Sequence, residues 1–176
     1  VFTMVERITD HYIAIKIPGR NSAGVSQAMK QLHEQYGDRF AQVFKTITAD
    51  NGPEFENFSN SESWGTRVYF AHPYSSWERP RNERHNGMLR DYIPKGESIE
   101  KYTDEEILSF ADALNSRPRR VLAYHTPEEL FETFLDKVYA CWESLWINIF
   151  VQFAIAIYGL KNNTKLVIFM FIFCFF

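Results

Sequence analysis

Phe2–Glu6 and Tyr12–Ile17 are short, largely apolar runs of strand-like composition, separated by a polar stretch. The polar stretch Arg7-Ile8-Thr9-Asp10-His11 between them reads as a hairpin turn, with Glu6 and Asp10 at the hairpin end. Pro18-Gly19 breaks the second strand. Asn21 or Ser22 can then cap a helix running to about Tyr36, with Val25, Met29 and Leu32 on one face and Gly37-Asp38 as its stop. Val43–Ala49 and Arg67–Ala71 return to a strand pattern, with room for a small helix between them. Pro80 stands where a helix can begin, Arg81 to Tyr92 form its body, and Pro94-Lys95-Gly96 ends it. Thr103-Asp104-Glu105-Glu106 is a capping-box start for a helix ending near Asn115, and Pro127 opens a last short helix. This order predicts an α/β domain.

The chemistry-bearing pattern lies at the end of one strand and the start of one helix. Asp50 follows Val43–Ala49 and is followed by the tight turn Asn51-Gly52-Pro53, which leaves its carboxylate at the strand's C-terminal edge. Glu83, in Asn82-Glu83-Arg84-His85-Asn86-Gly87, opens the later helix and can fold back beside it. Two carboxylates so placed can hold a divalent cation for phosphoryl-transfer chemistry. Arg90 is two helical turns beyond Glu83, so on the same face, with Asn86 and Gly87 between. Each piece alone has a plainer reading. Asp-Asn-Gly is commonly only a turn, a lone Glu in a first helical turn is favoured by the dipole, and Arg90 alone is an ordinary surface arginine.

The ordered combination overrides those readings. With Pro73-Tyr74-Ser75-Ser76-Trp77-Glu78-Arg79 before the helix and Leu89-Arg90-Asp91-Tyr92-Ile93-Pro94-Lys95-Gly96 after it, the chain resembles bacterial insertion-sequence transposases of the IS-thirty type, within the DDE transposase and retroviral-integrase group. Leu114-Asn115-Ser116-Arg117-Pro118 and Tyr124-His125-Thr126-Pro127-Glu128-Glu129-Leu130-Phe131 look like the closing blocks of that family. The resemblance implies a ribonuclease-H-like integrase catalytic core, a mixed sheet flanked by helices. It also implies Asp50 and Glu83 as catalytic metal ligands for two Mg²⁺ (or Mn²⁺) ions, and Asn51 and Gly52 as the turn that aims Asp50. Asn86 and Arg90 would position DNA phosphate. Trp77, Arg79, Arg81, Arg84 and Lys95 would contact DNA, Trp77 being equally readable as an anchor for its loop. Glu78 and Pro80 stand where such transposases more often carry Gln and Gly.

One departure bears on activity. The family's third carboxylate, an Asp on the central first strand of the sheet, has no counterpart, since Val1–Arg7 resembles the second strand. The expectation is therefore an N-terminally truncated, inactive copy, with the hairpin and the Asp50 strand facing a gap that leaves backbone groups unpaired. Glu6 and Asp10 are the acids that could substitute, and both read better as hairpin residues. Residues 1–137 are expected to form this partial core.

Composition adds less. At 176 residues and net charge −3 the chain can bury one core, and it has no general excess of cationic charge. The basic residues are instead local: Arg79, Arg81, Arg84, Arg90 and Lys95 near Glu83, and then Arg117, Arg119 and Arg120, which read equally as a solvated basic face. Cys141 and Cys174 form no disulfide or zinc pattern, and a cytoplasmic, nucleoid-associated protein is expected. From Val138 to Phe176 the composition turns apolar, in two runs each shorter than the roughly 20 residues of a membrane span. That tail reads as read-through sequence outside the family fold, ahead of a membrane hairpin or a core element. DNA is the expected partner, with homo-oligomers in the intact enzyme. A non-catalytic remnant that binds DNA or a full-length transposase is the alternative, and a small membrane-associated protein a third.

Overall fold

The structure, a computed structural model, describes residues 1–72 and 80–140. Strand β1 (Phe2–Val5) pairs antiparallel with β2 (Tyr12–Ile15), Phe2 opposite Ile15 and Val5 opposite Tyr12. The loop between them is closed by Glu6, whose carboxylate accepts from the Ile8 and Thr9 N–H groups and from the Thr9 hydroxyl. Helix α1 (Ser22–Tyr36) starts where Asn21 accepts from the Gly24 N–H, and buries Val25, Ala28, Met29 and Leu32 along one stripe. It stops at Gly37, whose φ of 53° is cheap only without a Cβ.

The first difference from the sequence pattern follows. Val43 belongs to a short helix, α2 (Phe40–Val43), and the strand delivering Asp50 is only β3 (Thr46–Ala49). Phe40, Val43 and Phe44 are spaced for a helical face, and all three are buried. Two 3₁₀ segments, Pro53–Phe55 and Phe58–Trp64, lead to β4 (Arg67–Phe70), which pairs parallel with β3. Helix α3 (Pro80–Leu89) is shorter than its apolar pattern. Arg90 already lies in a turn, where its N–H bonds the Gly87 carbonyl. Helix α4 (Asp104–Asn115) carries the full capping box, Thr103 and Glu106 each accepting from the other's N–H. A further helix, α5, begins at residue 127 and is still helical at residue 140, so it is not short. Residues Val1–Leu135 form one compact unit and the chain from Asp136 a second, of which residues 136–140 are described.

The described strands form two short sheets, the antiparallel β1-β2 and the parallel β3-β4, separated where a joining strand was expected to be missing. Between them lies a cavity of about 400 Å³ lined by β1, by β3 and by Phe55, Phe58 and Phe134. No backbone ladder joins β1 to β3 among the described residues, and Phe2 meets Phe58 by a ring contact of 6.5 Å. A second core holds β2 against the later helices. Tyr12, Ala14, Leu89, Ile107, Ala111 and Leu114 are buried together there.

No helix among the described residues is long and apolar enough to cross a membrane. The apolar runs expected to lie outside the fold fall almost wholly in residues 141–176, outside the described residues.

Candidate active site

Asp50 ends β3 because the chain must turn there. Its Oδ1 accepts from the Gly52 N–H at 3.2 Å, and Asn51 Nδ2 donates to the Ala71 carbonyl at 2.6 Å, tying the turn to the end of β4. Neither Asn51 nor Gly52 uses positive φ, and Gly52 is extended at φ −67° and ψ 147°. What the glycine supplies is space for the Glu54 carboxylate, which a Cβ would push aside. A Cβ at Gly52 would stand 2.6 Å from Glu54 Oε2 and 2.7 Å from its carboxyl carbon. Glu54 folds back under the turn, buried, and accepts from Arg20 Nε at 2.7 Å.

Helix α3 is held from its inner side. Arg81 Nη1 donates to the Arg7 carbonyl and pairs with Asp10 at 2.6 Å. Asp10 is buried at φ 59° and also faces Arg119 at 3.5 Å. Arg119 is itself buried, donating to His85 Nε2 and to the Leu114 carbonyl. With Nε2 accepting, His85 must carry its proton on Nδ1, which donates to the Arg81 carbonyl at 2.7 Å. Burial lowers the His85 pKa, and the Arg119 charge lowers it further. Next along, Asn86 Oδ1 accepts from the Tyr12 hydroxyl at 2.9 Å. Tyr12 is in turn gripped by Asn115, which accepts from its N–H at 2.8 Å and donates to its carbonyl at 2.9 Å.

Asp50, Glu54, Asn82 and Asn86 therefore line one cavity of about 560 Å³, together with Lys16 and Arg20. Glu83 is exposed on the adjoining face of α3 and does not line it. Gly87 and Arg90 are exposed on Glu83's side, and a Cβ added at Gly87 would meet nothing within 4 Å. Arg84 and Lys95 are exposed, whereas Arg81 is engaged with the hairpin turn. Trp77 and Arg79 lie outside the described residues. Of the later basic residues, Arg119 is interior, Arg117 bonds the Tyr92 hydroxyl at 2.6 Å, and Arg120 is exposed.

The donors at this cavity suit a hard divalent cation in kind. Asp50 offers a carboxylate, and Asn82 Oδ1 is buried without a hydrogen-bond partner. Among the described residues no group of three or more His, Cys, Asp or Glu side chains is placed to hold a metal. Sequence reasoning did not single out Arg20, Asn82 or Glu54 as site residues, nor the Asp10 cluster behind α3. Glu54 had one visible signal, its place in the block that begins at Asp50.

No family model matches the chain. It is 40% identical over 132 residues to the "Probable transposase for insertion-like sequence element IS1161" of Streptococcus salivarius, a match covering 75% of the chain and 36% of that protein. It is 35% identical over 133 residues to the transposase InsI for insertion sequence element IS30A of Escherichia coli (strain K12), covering 75% and 34%. The transposase for insertion sequence element IS4351 of Bacteroides fragilis is 34% identical over 139 residues, covering 78% and 41%. The chain thus spans about a third of the length of the first two relatives. In fold it is similar to the catalytic core domain of BIV integrase, with a TM-score of 0.58 at 22% identity, covering 78% of the chain and 88% of that domain.

Proposed function

The chain is a sequence relative of IS30-type insertion-element transposases with an integrase-core, ribonuclease-H-like fold, and from that premise we propose that it serves metal-dependent DNA strand cleavage and transfer at insertion-sequence ends. The observation that carries this reading is the placement of Asp50, at the C-terminal end of β3, in one cavity with Asn82 and Asn86 of α3. Divalent cations, Mg²⁺ or Mn²⁺ and two in number, would supply positive charge to the attacking and leaving oxygens of the phosphodiester. Asp50 and Glu83 are the proposed ligands, both hard oxygen donors, and Asn82 Oδ1 is a further oxygen at the Asp50 cavity.

The remaining residues bind and orient. Arg90, Arg84 and Lys95 present exposed cations for DNA phosphate, and Trp77 and Arg79 are proposed to join them. Asn86 is held by the Tyr12 hydroxyl, which fixes the rotamer it would offer to the same strand. Arg81 reaches the hairpin turn, so its contribution is to hold α3 in place as much as to touch DNA. The partner is DNA, and the working enzyme is proposed to be a homo-oligomer.

Binding of DNA without cutting it is the second reading. It is favoured by the place of Glu83, exposed on the adjoining face of α3 and outside the lining of the Asp50 cavity. A titration of the full chain with Mn²⁺, followed by electron paramagnetic resonance, tests the ligand assignment. Saturable binding that disappears in Asp50→Asn is expected, and equal binding by the two proteins would refute it. Plasmid nicking in the same buffers separates the readings. Metal-dependent nicking lost in Asp50→Asn assigns catalysis to the chain itself, and metal binding without nicking assigns the second reading.

A further inference from the structure

An exposed arginine held by a buried carboxylate stands at the mouth of the Asp50 cavity. The Arg20 side chain is 82% exposed and its partner Glu54 only 9%. A surface ion pair contributes little to stability, and burying a carboxylate costs free energy. Stability is therefore a poor account of this pair. What the pair does achieve is geometric. Glu54 takes only Nε of the guanidinium, at 2.7 Å, so the terminal Nη edge is left without a partner among the described residues. That edge is a planar fork of the kind that fits two oxygens of a phosphate.

The backbone around the pair is built to hold it. Gly24 lets the Pro18–Asn21 loop lie against α1, since a Cβ there would be 2.8 Å from the Gly19 carbonyl. Gly52 leaves the space that the Glu54 carboxylate fills. The field around Arg20 also suits an anion. Lys16 lines the same cavity, its Nζ donating to the Tyr102 carbonyl at 2.7 Å, and α1 begins just after Arg20 with no acid in its first turn; Glu100 is a further acid on the cavity wall. Asp50 and Glu54 are the acids facing it, and they raise the Arg20 pKa, so the guanidinium is charged at every working pH.

We propose that Arg20 binds a DNA phosphodiester at the Asp50 cavity and that Glu54 is the residue that positions it. The inference rests on the DNA-strand-transfer reading above and adds to the cations proposed on and after α3 one from the loop that precedes α1. Arg20 touches the substrate, whereas Glu54 acts only through Arg20.

The test is binding of the full chain to a fluorescently labelled DNA duplex of about three helical turns, in EDTA, between about 50 and 200 mM salt. Arg20→Ala is expected to weaken binding about tenfold at low salt and to reduce the salt slope by about one. Arg20→Lys keeps the charge but not the fork, and should recover the slope with only part of the affinity. Glu54→Gln is the decisive variant, because it removes a negative charge near the proposed DNA path. Charge alone would make it bind tighter, and loss of positioning makes it bind about threefold weaker. Gly52→Ala displaces the same carboxylate with no change in charge and should weaken binding in parallel. Thermal midpoints near that of the parent show that each variant is folded. Unchanged slope in Arg20→Ala, or tighter binding in Glu54→Gln, overturns the proposal. If Arg90→Ala and Lys95→Ala weaken binding while Arg20→Ala does not, this inference alone falls. If no cationic substitution matters, the DNA-binding reading falls with it.

Discussion

His11 makes the stability of this domain sensitive to mild acid, and the size of the effect follows from where the ring sits. It stacks on Phe131 with centroids 4.1 Å apart and planes 9° apart, and its Nδ1 is buried with no hydrogen-bond partner. Burial lowers its pKa from 6.5 to about 4, with Arg119 pushing the same way and Glu6 partly opposing. Below pH 6.5 the unfolded chain therefore takes up a proton that the folded chain refuses until about pH 4. The unfolded state binds more protons throughout that window, so stability falls as the pH falls. Each tenfold in proton affinity is worth about 1.4 kcal/mol, so the full loss is about 3 kcal/mol, and roughly 2 kcal/mol of it is reached by about pH 5. Urea unfolding followed by far-UV circular dichroism, at about pH 7.5 and about pH 5, measures it. His11→Phe keeps an aromatic ring on Phe131 and removes the imidazole, so the difference between the two proteins isolates the contribution of His11. The parent should lose about 2 kcal/mol more than the variant between the two pH values. Equal losses would show that His11 is not the acid-sensitive group.

Two further outcomes are expected. Asn115→Ala leaves the buried Tyr12 N–H and carbonyl without their partners and should cost about 2–4 kcal/mol in the same unfolding experiment. Gly87 sits in helix α3 with open space around it, so Gly87→Ala should stabilise the fold by about 0.5–1 kcal/mol. The same substitution should weaken DNA binding if the Glu83–Gly87–Arg90 side is approached closely by DNA, and unchanged affinity in a binding titration would argue against that approach.

What the sequence disclosed was mainly local. The two strand-like runs of the hairpin, the Asn21 cap and the Thr103–Glu106 capping box are each written within a few residues, and each element formed where its signal stood. The strand assignment at Val43 failed because a short apolar run does not declare its period. Only with Phe40 and Phe44 seen packing on each other at 5.0 Å does the helical spacing become decisive. The acid at the end of β3 was legible, because a strand followed by a turn exposes whatever residue lies between them. The residues that hold the site were not. Asn115 reaches Tyr12 across most of the chain, Asp10 meets Arg119, and Arg20 meets Glu54, all pairings created only by folding. Arg119 shows the consequence most plainly: in sequence it is one of several basic residues, and in the structure it is buried between Asp10 and His85.

The separation of the two sheets also decides what a ligand at the site would do. Asp50 is carried by the β3-β4 pair, while Asn82, Glu83 and Asn86 ride on a helix fastened to the β1-β2 hairpin. The cavity around Asp50 is lined from both parts, by Thr3 of β1 and Asn86 of α3 on one side and by Asp50 and Glu54 on the other. A ligand that touches Asp50 and α3 together would bind only the assembled arrangement, and by mass action it would stabilise that arrangement against any state in which the two parts separate.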